Sequence, residues 1–223
     1  MRFVDFLIRI FIDQRTRERL SLQGIEPRGF RGVIHTITGH FDGFTLYNPF
    51  ALIAGITFFA SIFFPWWYSV VYQHGYHIAA YAFILTHNLP AEGYEFIIET
   101  PKIVVVVLFL MLLGNLFLAF WGSTMEGTKG RIFVAVAGLF MLLYTGGFYL
   151  SLLYACSRVD VPVVGQVIIQ HGVDVVVMML FRKPYSVAIG AGVACLISSL
   201  LHGLLKIPLH TRKKGYHHRA TLP

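Results

Sequence analysis

Four histidines are the residues of this chain best suited to chemistry: His74, His77, His87 and His171. Imidazole nitrogens are common ligands of zinc and copper, so together they could form a metal site. In the run QHGYH, His74 and His77 would share a face on a helix but point to opposite faces on a strand. No carboxylate or thiol is spaced to complete a ligand set, and solvated surface histidines are the competing reading. The sequence contains no P-loop, no strand-linked GxGxxG, no CxxC and no GxSxG. A b-type haem would need axial histidines facing each other across apolar segments, and those segments lack them. The sequence thus points to no catalytic residue and no cofactor, with metal left as an open alternative.

The elements that must position these histidines are segments that read as membrane spans. Charged residues make up 13% of the chain and mean hydropathy is +0.67. A soluble domain carries about a quarter charged residues, so much of this surface is solvated by lipid. The formal charge of +7 argues for nucleic acid only if the basic residues form a patch. They gather instead at the two chain ends, the distribution expected from the positive-inside rule, and a nucleic-acid partner is excluded on that ground.

The first apolar stretch, residues 48–68, opens with Asn48-Pro49, a cap followed by a proline at the first helical position. Some twenty residues at 1.5 Å each span roughly 30 Å, the thickness of the hydrocarbon core. Trp66, Trp67 and Tyr68 close it, and with Trp121 they are assigned to the headgroup level. Further spans are expected at about 102–121, 132–154 and 186–205. Asn115 is the one amide of the second. In the last, Ala191, Cys195, Ser199 and Gly203 recur every four residues, a spacing that lets helix backbones approach closely. Cys156 and Cys195 fall in different predicted helices, so no disulfide framework is expected.

Between the spans lie two segments read as outer loops, 65–100 and 158–183. The first has no lysine or arginine from Pro65 to Thr100 and is rich in tyrosine, valine and isoleucine, with Gly75 as a turn candidate. A re-entrant helix over 76–86 is its alternative. The second, VPVVGQVIIQHGVDVVVMMLF, is long enough to cross a membrane, but Asp174 at mid-bilayer would cost at least ~2.5 kcal/mol. It is therefore read as a β-hairpin turning near His171-Gly172, pairing with the first loop into a small outer layer.

Residues 1–45 are read as a cytoplasmic amphipathic helix and basic connector, and 207–223 as a basic cytoplasmic tail. Phe3, Phe6, Leu7, Ile10 and Phe11 fall on one face of a 3.6-residue period, a surface for the membrane interface or a partner subunit. The start of the chain is too highly charged for a cleaved signal peptide. The fold class expected is a membrane all-α bundle of four transmembrane helices, residues 46–206, with extramembrane β structure and both termini cytoplasmic in the cell membrane.

Pro65-Trp66-Trp67 after the first span and the valine-rich hairpin 161–181 resemble the claudin-like tetraspan class over residues 48–206. The Gly-Leu-Trp and the paired cysteines of the claudin first loop are absent. The resemblance implies an outer β-layer that makes lateral or partner contacts. Three functions compete. The leading one is a non-catalytic accessory subunit of a membrane complex, or a self-associating protein, in contact with lipid and with other subunits or its own copies. The alternative is an enzyme-complex subunit holding a metal, quinone or lipid near the outer face. A channel or transporter is weaker, because no ionisable residue lies deep in a span.

Overall fold

The computed structural model describes residues 45–89, 100–171 and 173–208, with backbone alone for 169–171, 173, 174 and 208. The N-terminal segment with Phe3, Phe6, Leu7, Ile10 and Phe11, the basic tail and Gly172 lie outside the described residues. The described residues form four helices: α1 (Pro49–Ser61), α2 (Lys102–Thr124), α3 (Gly127–Arg158) and α4 (Lys183–Leu200). Seven strands accompany them: β1 (Thr45–Leu46), β2 (Trp67–Val71), β3 (Tyr76–Ala80), β4 (Leu85–His87), β5 (Gly165–His171), β6 (Val173–Phe181) and β7 (Ile207–Pro208).

Three helices, α2, α3 and α4, are long and apolar enough to cross a membrane. Their large apolar side chains face outward, as lipid-facing residues do, among them Ile103, Leu110, Leu143 and Leu200. The chain is a multi-span, largely helical membrane protein with an accessory sheet. The expectation of four transmembrane helices is corrected. α1 has only 13 residues, about 20 Å at 1.5 Å per residue, short of the roughly 30 Å core.

The reason α1 stops early is local. Pro65 disfavours helical geometry at Phe64, and the Ser61 hydroxyl turns back to donate to the Phe58 carbonyl at 2.6 Å. The chain then enters the sheet: the Trp66 N–H donates to Ala80 O at 2.8 Å, and Trp66 O accepts from the Arg182 N–H at 2.9 Å. The aromatic residues expected to finish the first span therefore begin a strand. At the other loop the helices run further than hydropathy suggests. α2 ends at Thr124 and α3 begins at Gly127, so most of GSTMEGTKGR is helical.

The two segments between the helices pair into one open antiparallel sheet of order β4-β3-β2-β6-β5. β2 and β3 form a hairpin whose turn uses Gly75 at φ 67°, with its N–H on Val71 O at 3.0 Å. β5 and β6 form the second hairpin, from Gly165↔Met179 to His171↔Val173, and β2 pairs with β6 from Trp67↔Phe181 to Val71↔Val177. The inward face, with Trp67, Ala80 and Met179, packs on Leu152 and Cys156 near the end of α3.

The helix core holds Phe58, Trp66, Leu112, Val134, Met141 and Cys195. Ala191, Cys195 and Ser199 lie on the buried face of α4. Glycines bring α3 and α4 together: a Cβ at Gly138 would lie 2.6 Å from Leu196 N, and one at Gly192 2.9 Å from Leu142 Cδ2. Gly203 lies beyond α4 with φ 84°, its N–H on Tyr47 O at 3.0 Å. Both cysteines are buried free thiols.

Gly138→Ala should force α3 and α4 apart, because the atom it meets is backbone. The expected cost is roughly 1–3 kcal/mol, read as a lower thermal midpoint in detergent. Gly146→Ala, where nothing lies within 4 Å of the added carbon, should leave the midpoint unchanged or raise it.

Candidate functional site

The strand register decides which side chains the sheet presents. Residues alternate between faces, so His77, opposite Val70, looks outward with Tyr68, Tyr72 and Met178. His87, opposite Ile78 at the edge of the sheet, belongs to the inward face. His74 lies in the β2–β3 turn, stacked on Tyr76 with ring centroids 5.6 Å apart. His171 ends β5, on the far side of β2 and β6 from His77. At 4.7–4.9 Å between neighbouring strands, β3 and β5 are about 14 Å apart. The four histidines do not converge, and among the described residues no three His, Cys, Asp or Glu are grouped to hold a metal.

The aromatic residues divide by burial. Trp66 is 0% exposed, ringed by Phe58, Tyr144, Phe148 and Tyr185, and its Nε1–H donates to Ser61 O at 3.0 Å. Trp67 is buried under the sheet with Nε1–H on Val163 O at 2.7 Å. Trp121 is buried and stacks on Phe117. Tyr68 alone of the set is on the outward face, stacked on His77, with the Arg182 guanidinium 5.6 Å from its ring centroid. The outward face therefore sets aromatic and apolar side chains among the polar His77, Thr86 and Gln166. Tyr72 is 65% exposed, Ile168 57% and Met178 38%.

The opposite end of the bundle carries a polar junction that the sequence reading did not assemble. Asn48 caps α1 through Oδ1, which accepts from Ala51 N–H at 3.0 Å, and its Nδ2 donates to Ser198 O at 2.8 Å. Ser123 O accepts from the N–H groups of Tyr47 and Asn48 at 2.7 and 3.1 Å. His202 Nε2–H donates to Met125 O at 2.9 Å, its ring stacked against Tyr47. A Cβ at Gly130 would lie 2.6 Å from His202 Nε2, so only glycine admits this ring. Lys206 closes the rim with an ion pair to Glu126 at 3.4 Å. Only the Asn48 cap was legible in sequence, since the remaining partners lie far along the chain.

Burial holds the His202 pKa below the ordinary histidine value, and the charge of Arg131 lowers it further, against the raising effect of the Met125 bond. Nδ1 is buried without a hydrogen-bond partner, so a second proton would add an N–H with nowhere to donate. The junction therefore favours a neutral imidazole bonded to the Met125 carbonyl.

No protein-family model matches this sequence, and no curated protein matches it significantly. Kinship with claudins thus has no support beyond layout.

Because the folded pKa of His202 is lowered, its contribution to stability is fully present above about pH 6.5, the unfolded value. It is lost as pH falls from there through the lower folded value. Thermal midpoints in detergent should drop between pH 7 and pH 5, and His202→Gln, which keeps an N–H donor, should flatten that slope.

Proposed function

We propose that the protein is a non-catalytic component of a membrane assembly, binding a neighbouring subunit or a second copy of itself through the outward face of its sheet. The observation that carries this reading is the exposed cluster of Tyr72, Ile168 and Met178 on that face. An open sheet has edge strands with unpaired N–H and C=O groups, which hydrocarbon cannot satisfy. The sheet therefore belongs outside the hydrocarbon, where the exposed Tyr72, Ile168 and Met178 meet water unless a partner covers them. Edge strand β5 offers seven residues for adding a strand from that partner. The claudin-like layout enters as analogy only, a sheet raised on membrane helices for lateral contacts. The N-terminal apolar face of Phe3, Phe6, Leu7, Ile10 and Phe11 is a second contact surface in this reading.

The membrane orientation proposed puts both basic tails in the cytoplasm and the sheet on the outer side of the cell membrane, the chain passing between them through the short α1 and the non-helical residues that follow it rather than through a fourth spanning helix. In support, β1 pairs with β7, Thr45 opposite Pro208, so the chain meets its two tails at one place. The tails carry Arg15, Arg17, Arg19 and Arg28 on one side, and Arg212, Lys213, Lys214 and Arg219 on the other.

Ile168→Lys combined with Met178→Lys should leave the helices inserted but shrink the particle purified in mild detergent. Unchanged size and unchanged copurifying chains would sink the assembly reading. For orientation, cysteines introduced at Gln73 and Lys206 should label from opposite sides of sealed vesicles, Gln73 from outside. Labelling of both from one side would reverse the assignment.

A further inference from the structure

A cavity of about 590 Å³ lies between α2 and α3 at their sheet end. Its roof is the turn between β3 and β4, pinned where the Tyr144 hydroxyl donates to Ala82 O at 2.5 Å. Aromatic rings of Phe83 and Phe148 form walls. On α3 the surface dips at Gly147, which lines the cavity and has nothing within 4 Å of where a Cβ would stand. Leu143 and Met111, also lining it, are 65% and 46% exposed, so the cavity opens sideways between two membrane-crossing helices. Besides its tyrosines, the hydroxyls lining it among the described residues are Thr100, just before α2, and Ser151, in the sheet-proximal part of α3.

We propose that this slot holds one acyl chain of a bilayer phospholipid, entering laterally between α2 and α3 and packing beneath the β3–β4 turn. The volume lies within the roughly 300–1,000 Å³ of ligand pockets. Its walls are mostly apolar, which disfavours water as occupant, since a buried water needs two to four polar partners. Leaving the slot empty forfeits the dispersion contacts of every side chain that lines it. At this depth the surrounding solvent is acyl chain, present at high concentration beside an opening that faces it. The hydroxyls at the sheet end suit the ester region of the same molecule, which gives the chain one direction of entry. This proposal is independent of the assembly reading, because the slot faces lipid and the outward sheet face does not line it.

The test compares wild type with Gly147→Leu, which places a side chain in the slot, and with Gly146→Leu, the same change on the neighbouring residue outside the lining. Native mass spectrometry after gel filtration in mild detergent should show one retained phospholipid on wild type and on Gly146→Leu, and its loss on Gly147→Leu. A second readout uses vesicles of phosphatidylcholine with dibrominated acyl chains. Trp66 lies 5.1 Å from Phe148 and 6.1 Å from Tyr144, ring to ring, and both line the slot. Tryptophan emission should be quenched more in wild type than in Gly147→Leu, with Trp67 and Trp121 as the same background in both. Equal retention and equal quenching in all three proteins would overturn the proposal. So would a wild type that retains no lipid, or one that retains an isoprenoid quinone or prenol in place of phospholipid.

Discussion

The requirement that every backbone N–H and C=O find a partner without water governs this structure at both ends. At the junction end, Ser123 O serves two donors of the chain entering α1, Gly203 N–H serves Tyr47 O, and His202 serves Met125 O. Each of these bonds ties one helix terminus to a segment distant in sequence. Hydroxyls within the helices follow the same rule locally: Ser123, Thr124, Ser198 and Ser199 all donate to a carbonyl one turn back. The bundle can therefore be apolar outside and still leave few polar atoms orphaned within it.

At the other end the same requirement is met by a sheet, and this sets the path of the whole chain. Trp66 is the hinge of the arrangement. Its N–H and C=O bond Ala80 and Arg182, its ring sits in the helix core, and its indole N–H satisfies the carbonyl of Ser61, the last residue of α1. One residue thus caps the end of a helix from its side chain, leads into β2 and joins the two hairpins. Its role is lost if the ring is treated as an interfacial anchor.

Much of the architecture was legible because it rests on local chemistry. Gly75 and the valine-rich runs flanking His171-Gly172 pointed to the two hairpins, and the Asp174 carboxylate argued that segment out of the hydrocarbon. Spans α2 and α3 follow from long uncharged runs. Hydropathy failed at α1 because it sums composition and is blind to a proline: Phe63 and Phe64 counted as apolar, while Pro65 had already ended the helix. The histidines were read as a potential set because sequence gives no register. Once β2 and β6 stand between His77 and His171, residue type no longer matters. The junction was illegible for the opposite reason, since Asn48 and Ser198 are 150 residues apart and neither has an unusual neighbour.

Asn115 shows where the accounting does not close. It is 2% exposed on the buried face of α2 with Leu112, Ala119 and Gly122, and neither its amide nitrogen nor its oxygen has a hydrogen-bond partner among the described residues. An unsatisfied buried polar group costs about 1–3 kcal/mol, comparable to the overpacking cost at a helix contact. One turn away, a Cβ at Gly55 would lie 2.9 Å from Ala119 Cβ, so α1 and α2 already touch closely there. Close packing beside Asn115 and polarity at Asn115 thus act against each other on a single helix face. That conflict is offset elsewhere in the bundle, where glycines bring α3 and α4 together and Ser123, Thr124, Ser198 and Ser199 bond back to their own helices.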